Sequence, residues 1–252
     1  MPSLQRVWSG VVLIAVVLAG PAVAQERAWI DVNAGVATAA QEAYSTSVSF
    51  PFRQETATAA AGYGLPTGAF FDVGGGWMFH PRVGAGISVA GAAHAETATL
   101  SATIPHPLFF DLPASATAST ADTLTRSETA IDLQVMAIVT PPDAALTVRV
   151  FAGPTHFRVR QDTVNDVLYQ EAITGGNVFS ITITDAVIVE EDASGWGFHA
   201  GADVRYFFTP RVGVGAIVRV SRGEMDIAGI FGDPTTIDTG GVQIGGGLRL
   251  KF

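Results

Sequence analysis

From Arg27 to Phe252 apolar residues recur at every second position over segments of about ten, and this constrains the fold more than any other feature of the chain. A helix buried on one face repeats every 3.6 residues, whereas a strand with one apolar face repeats every two. In Ser194–Phe208 one set is Trp196, Phe198, Ala200, Ala202, Val204, Tyr206 and Phe208, and the other is Gly197, His199, Gly201, Asp203, Arg205 and Phe207. Val212–Ser221 and Gly241–Phe252 alternate in the same way. Eight strands are legible, at 27–38, 68–79, 83–95, 126–139, 146–160, 193–208, 212–225 and 240–252.

Short and long connections alternate between these strands. Proline marks the short turns at His80-Pro81-Arg82, Thr140-Pro141-Pro142-Asp143 and Thr209-Pro210-Arg211, because it presets φ and cannot join a ladder. Phe79–Gly86 echoes Phe208–Gly215, two hairpins solving one turn problem. The long connections lie near 39–67, 96–125, 161–192 and 226–239, and the first two, rich in Ala, Thr, Ser and Pro, read as mobile polar loops. In the third, Val164–Glu171 and Val178–Glu190 are strand-like and flank Ile173-Thr-Gly-Gly-Asn177, a hairpin-turn signal. A ten-stranded count would make them a further pair. With no proline turn before Ser194–Phe208, the reading preferred is one long hairpin projecting over 161–192, with Glu190-Glu191-Asp192 near the outer surface as a solvated charge run.

The facing of the two sets decides the fold class. A soluble barrel fills its interior with the apolar set, and a membrane barrel turns that set outward. Here the small or polar set holds Gly74, Gly76, Gly84, Gly86, Gly153, Gly197, Gly201, Gly213, Gly215, Gly245 and Gly247, with too few charges for a solvated exterior. Glycine weakens an ordinary strand, so such density on one face implies a narrow, crowded interior. Trp77, Phe79, Trp196, Phe198, Tyr206 and Phe208, in the opposite set near strand ends, read as lipid-interface aromatics. By parity, Asp31, Asp72, Asp132 and Asp203 face the lumen with Arg149, Arg205, Arg219 and Arg249. Charges at membrane depth are tolerated when paired and turned from lipid. This network reads as a plug, since an eight-stranded lumen is just wide enough for side chains; the competing reading is a charged pore constriction. The fold class is all-β: a closed antiparallel eight-stranded transmembrane β-barrel with up-and-down topology.

Composition narrows the remaining possibilities. Val11–Gly20 is apolar, follows Arg6 and precedes Pro21-Ala22-Val23-Ala24, so residues 1–24 read as a secretory signal peptide, leaving 25–252 as a single barrel domain. About 20 apolar residues are needed for a helical span, and this run is shorter. With 14 basic and 23 acidic residues, a net of −9, the chain is no partner for nucleic acid. The absence of cysteine excludes disulfides, thiol chemistry and cysteine-bound metal. No metal-ligand spacing appears and no cofactor is implied.

The leader, the eight alternating strands and the last strand ending Leu248-Arg-Leu-Lys-Phe252 together resemble the small bacterial outer-membrane β-barrels of the OmpA-transmembrane and OmpW type. The resemblance covers the whole mature chain and rests on pattern. It implies that the termini and proline turns are periplasmic, that the long loops face outside, and that the terminal Phe252 is the signal read by the barrel-assembly machinery. It also implies a monomer in outer-membrane lipid, with extracellular or surface ligands met by the loops. Unlike full OmpA proteins, the chain has no peptidoglycan-binding domain after its last strand.

An enzyme at the barrel rim is the reading the sequence supports least. Of the five histidines, His80, His94, His106, His156 and His199, His80 lies in a proline turn and His106 in a proline-flanked loop, and both read as solvent-exposed. His94 and His199 fall inward near the outer end, with Ser88, Ser194 and Glu96 as neighbours to test. No Gly-x-Ser-x-Gly elbow is present, so no catalytic residue is assigned. The function expected is a structural or surface-interaction barrel with a plugged lumen, the alternative being a narrow channel for small or apolar solutes.

Overall fold

The computed structural model describes residues 27–41, 43–64, 67–141 and 144–252. The leader over 1–24, and Pro142 and Asp143 of the second turn, lie outside the described residues.

Eight strands close into a ring: β1 (Ala28–Ala37), β4 (Gly68–His80), β5 (Val83–Glu96), β8 (Leu124–Ile138), β9 (Leu146–Thr174), β10 (Val178–Phe207), β11 (Val212–Ala228) and β12 (Pro234–Lys251). Each pairs antiparallel with its neighbours in chain order, and β1 closes the ring on β12. Up-and-down order follows from the short turns, and closure removes the unpaired edges that an open sheet would expose. The segments that a ten-stranded count would add are the outer halves of β9 and β10, which stay paired out to Thr174↔Val178. Gly176 (φ 84°) and Asn177 (φ 62°) make the left-handed turn that joins them. From Val178 to Asp192 the hairpin rises about 45 Å, at about 3.3 Å per residue, before the strands enter the closed ring.

Burial along the ring is inverted relative to a soluble barrel. Arg249 and Asp203 have no exposure, whereas Ile244 is 53% and Trp196 66% exposed. The apolar set is the outer wall and the charged set the lumen. Trp29, Phe70, Phe151 and Phe157 are also buried inside, against the expectation that the inner set is only small or polar. They share parity with Asp31, Asp72 and Arg149, and glycine makes room for them. A Cβ on Gly76 would lie 2.7 Å from Trp29 Cζ2 and 2.7 Å from Gly86 Cα.

The first two long connections differ from the expected mobile loops. They form a four-stranded antiparallel sheet, β2 (Ala43–Phe52), β3 (Glu55–Gly64), β6 (Thr99–Ile104) and β7 (Ala114–Ser119), in the order β2-β3-β6-β7. Their Ala/Thr/Ser composition hides a period of two, in which Ala57, Ala59, Ala61 and Tyr63 are buried on one face of β3, and Leu100, Ala102 and Ile104 on one face of β6. Small side chains let this face pack closely on the projecting hairpin at Val159, Val164, Val167 and Ile181. Tyr63 stacks on Tyr44 at 4.6 Å, and its hydroxyl accepts the Val164 amide at 2.8 Å, tying sheet to hairpin. The fourth connection is also shorter than expected. Strands β11 and β12 run on to Ala228 and from Pro234, leaving a 3-10 turn at Ile230–Gly232 that buries Ile230 in the same core. Each large aliphatic buried there contributes about 1.5–3 kcal/mol.

Substituting Gly76→Val should destabilise the barrel by at least about 2 kcal/mol through overpacking against Trp29. Gly91→Ala, where an added Cβ meets nothing within 4 Å, should change stability by less than about 0.5 kcal/mol. Urea unfolding of the refolded protein, followed by tryptophan fluorescence, measures both.

Candidate functional site

The inward positions of the ring stack charged and polar side chains in layers. In the layer nearest the short turns, Asp203 on β10 accepts from Arg149 Nη2 at 3.1 Å, from Arg249 Nη2 at 2.7 Å and from Arg205 Nε. Asp31 on β1 accepts from Arg149 Nη2 at 2.7 Å and from Arg205 Nη2. Strands β1 and β9 are diametrically opposed in the ring, so the Arg149–Asp31 pair crosses the lumen. The Arg149 guanidinium also lies over the Trp29 ring, 4.1 Å from its centroid.

Arg219 on β11 spans the layer above. It donates to Gln243 at 2.8 Å on its neighbour β12, to Asp72 at 2.9 Å on β4, to Ser88 at 3.3 Å on β5 and to Asp132 on β8. Asn33 donates to the other Asp72 oxygen at 2.6 Å. Thr155 gives its proton to Asp132 at 2.7 Å and lies 2.8 Å from His199 Nδ1, which therefore donates to the hydroxyl oxygen.

A further layer was not assigned from the sequence. Arg126 on β8 donates to Glu128 at 2.8 Å, to Gln161 on β9 at 3.2 Å and to the Asp238 carbonyl on β12 at 2.9 Å. Glu128 accepts from Thr239 Oγ1 and the Gly240 amide, both at 3.0 Å. Arg126 and Glu128 share the parity of Asp132, which is the signal that finds them. All eight charges assigned to the lumen are buried, Asp31, Asp203, Arg149, Arg205 and Arg249 in the first layer and Asp72, Asp132 and Arg219 in the second. Above the third layer, Tyr44 accepts from Gln161 and the apolar core of the outer sheet begins.

A ring with a lipid-like exterior and a paired ionic interior is the arrangement of a membrane barrel. The family model for the outer membrane protein β-barrel domain matches residues 9–249. The chain belongs to this family. Solved structures similar to it include the outer membrane protein OprG from Pseudomonas aeruginosa, at 10% identity over 90% of this chain and 97% of that chain, with a TM-score of 0.49. Neisserial surface protein A is 11% identical over 89% of this chain and 97% of that chain, with a TM-score of 0.41. AlkL, an outer membrane protein solved by solid-state NMR in DMPC bilayers, is 12% identical over 95% of this chain and 94% of that one, at a TM-score of 0.36. No curated protein matches the sequence.

On this outer-membrane barrel the six wall aromatics all face outward: Trp77, Phe79, Trp196, Phe198, Tyr206 and Phe208 are each about half to two-thirds exposed, from 49% to 66%. From Trp196 to Phe208 the strand advances about 40 Å, and a tilt of about 45° projects this to about 28 Å, close to the apolar height of a bacterial barrel. Phe252 is exposed, and its backbone exchanges hydrogen bonds with Ala28 at 2.9 and 3.2 Å.

The histidines separate by environment. His80 is exposed in its turn, and His156 stands edge-on to Trp196 at 5.0 Å. His106 is buried rather than solvent-exposed: Nδ1 accepts the Leu108 and Phe109 amides, and Nε2 lies 3.2 Å from the Asn177 carbonyl, pinning the β6–β7 loop to the hairpin tip. His94 and His199 are both buried inside, with Ser88 in the Arg219 layer. Ser194 faces outward on β10, the opposite side from His199, so the two are not brought together; the Glu96 side chain lies outside the described residues. Of the acidic run, Asp192 is held by Arg158 and Arg160 on β9. The Arg158 hydrogen bond, aided by Arg160, pulls the Asp192 carboxyl down to about 2, so this pair persists through mildly acid pH and is lost only as pH falls through that value.

Replacing Arg219 with Met strands two buried carboxylates, Asp72 and Asp132. The variant should be about 3–5 kcal/mol less stable in denaturant unfolding.

Proposed function

We propose that the protein is a non-conducting outer-membrane barrel that acts through contact by its outward β structure. The carrying observation is the Arg149–Asp31 pair and the Arg219 cluster, which reaches Ser88, each spanning the ring from opposed strands. An eight-stranded lumen is only just wide enough for side chains, so such bridges leave no continuous water path. Residues 1–24 act as a cleaved signal peptide, and the short turns and termini are periplasmic. Phe252 closes the last strand as the mark read by the assembly machinery, and the wall aromatics lie at the two lipid interfaces. We take the barrel to serve as a monomer. We assign it no catalytic role: His199 is buried against Thr155 and Asp132, and His94 is buried inside the ring.

At the far end of the projection, Leu108, Phe110 and Leu112 are exposed in the loop between β6 and β7, beside the exposed Ile173 and Val178 at the hairpin tip. Exposed apolar patches of this kind mark interaction surfaces. The hairpin and the packed outer sheet hold them well above the lipid. This supports surface contact over a channel for small or apolar solutes.

Single-channel recording in a planar bilayer tests the reading. Neither the refolded protein nor its Asp132→Ala variant should show unitary steps, because the Arg149 layer closes the lumen independently of Asp132. Discrete steps in the wild-type protein would refute the plugged barrel.

A further inference from the structure

Three turns converge at the far end of the projection: 52–55 between β2 and β3, 105–113 between β6 and β7, and 174–178 at the hairpin tip. Arg53, in the first, donates to the Pro105 carbonyl at 3.1 Å, and its Nη2 donates to both Glu171 oxygens at 2.9 and 2.6 Å. Glu55 accepts the Asp111 amide at 2.7 Å. His106 adds its bonds to Leu108, Phe109 and Asn177, and its ring meets Phe109 at 4.9 Å and Phe179 at 5.1 Å. Proline at 105, 107 and 113 fixes φ along the loop. Arg53, Gln54, Asp111 and Asn177 hold φ between 53° and 63°, a region that few residues other than glycine adopt. The three turns are locked to one another.

What these bonds hold in place is apolar and faces outward. Leu108, Phe110 and Leu112 are 64%, 65% and 59% exposed, with Phe109, Ile173 and Val178 exposed beside them. A surface already rigid before contact loses little conformational freedom on binding, and large aromatic side chains are the usual anchors of an interface.

Charge selects the partner. Arg53 is the one lysine or arginine in these turns, and Glu171 pairs with it. Among the described residues no basic side chain forms an ion pair with Glu55 or Asp111, which flank the patch. From Gln161 to Glu191 the hairpin carries Asp162, Asp166, Asp185, Glu190 and Glu191 besides Glu171, and no lysine or arginine. The field around the patch is negative. It opposes a second copy brought tip to tip, which would set Glu55 and Asp111 against their own counterparts, and it opposes an anionic lipid surface. A polypeptide with basic residues beside its apolar anchors satisfies both the patch and the field. We propose, resting on the contact reading above, that the tip is the docking site for a cationic segment of another protein, which lays large apolar side chains among Leu108, Phe110 and Leu112.

Fluorescence anisotropy with the refolded protein in phosphatidylcholine nanodiscs tests this, with the signal of empty nanodiscs subtracted. The probe is a dye-labelled lysine-rich peptide carrying paired tryptophans, and the controls replace every lysine by glutamate or every tryptophan by serine. The probe should bind saturably and each control about tenfold more weakly. Leu108→Ser/Phe110→Ser should weaken the probe about tenfold while keeping the heat-dependent gel shift of a folded barrel. If that pair fails to fold, Phe110→Ser alone should weaken it about threefold. Asp111→Asn, a replacement that tolerates the left-handed backbone, should weaken it about twofold at low salt and leave it unchanged at high salt. No saturable binding of the probe, or undiminished affinity in the folded serine variants, would overturn the docking site. Equal binding of the glutamate control would overturn the cationic partner while contact at the tip stands. The plugged barrel fails separately, by unitary steps in the bilayer recording, whatever the peptides do.

Discussion

Charges crossing a narrow lumen set the terms for the rest of this molecule. Taking a carboxylate or guanidinium out of water costs several kcal/mol per ion, so each must meet its partner with good geometry. Asp203 is met by Arg149, Arg205 and Arg249, and Arg219 by Asp72, Asp132, Ser88 and Gln243. Such a network forms only when all the contributing strands are in register. The Asp31↔Arg249 and Asp203↔Arg149 pairings therefore link ring closure to charge satisfaction. The apolar wall makes the ring compatible with lipid, and the ionic interior selects one register.

Glycine and the aromatic residues fill the remaining space. Wide guanidinium groups and the indole of Trp29 occupy one small lumen because facing positions such as Gly76 and Gly215 carry no side chain; a Cβ on Gly215 would lie 2.7 Å from Arg249 Nε. At the outer end the problem is solved differently. The inner side of the ring passes into an apolar core between the β2-β3-β6-β7 sheet and the long β9–β10 hairpin, so charge pairs cross the barrel in its middle and hydrophobic packing covers its outer end.

Much of this was legible in the sequence because strand parity is a strict period. The eight ring strands, the eight lumen charges and the projecting hairpin all follow from alternation and turn chemistry. What escaped had weaker contrast. In Glu55–Gly64 the alternation is between alanine and threonine, so a buried face looks like low-complexity loop until its partner strands are known. Arg126 and Glu128 had the right parity, but they sit where the strand leaves the apolar band and charge is unsurprising. Trp29 and Phe151 lie in the inner set, yet aromatics in a membrane barrel are first read as lipid-facing. The burial of His106 depends on a contact with Asn177, 71 residues away, which no local pattern encodes.

The central claim is that side chains on opposed strands are joined across the lumen, and a double-mutant cycle on Asp31→Asn and Arg149→Gln measures that joining. The two residues belong to strands that share no ladder, so the coupling reports the bridge across the lumen. The account predicts a coupling free energy of at least about 1.5 kcal/mol in denaturant unfolding. A coupling below about 0.5 kcal/mol, the additivity expected of independent sites, would contradict it.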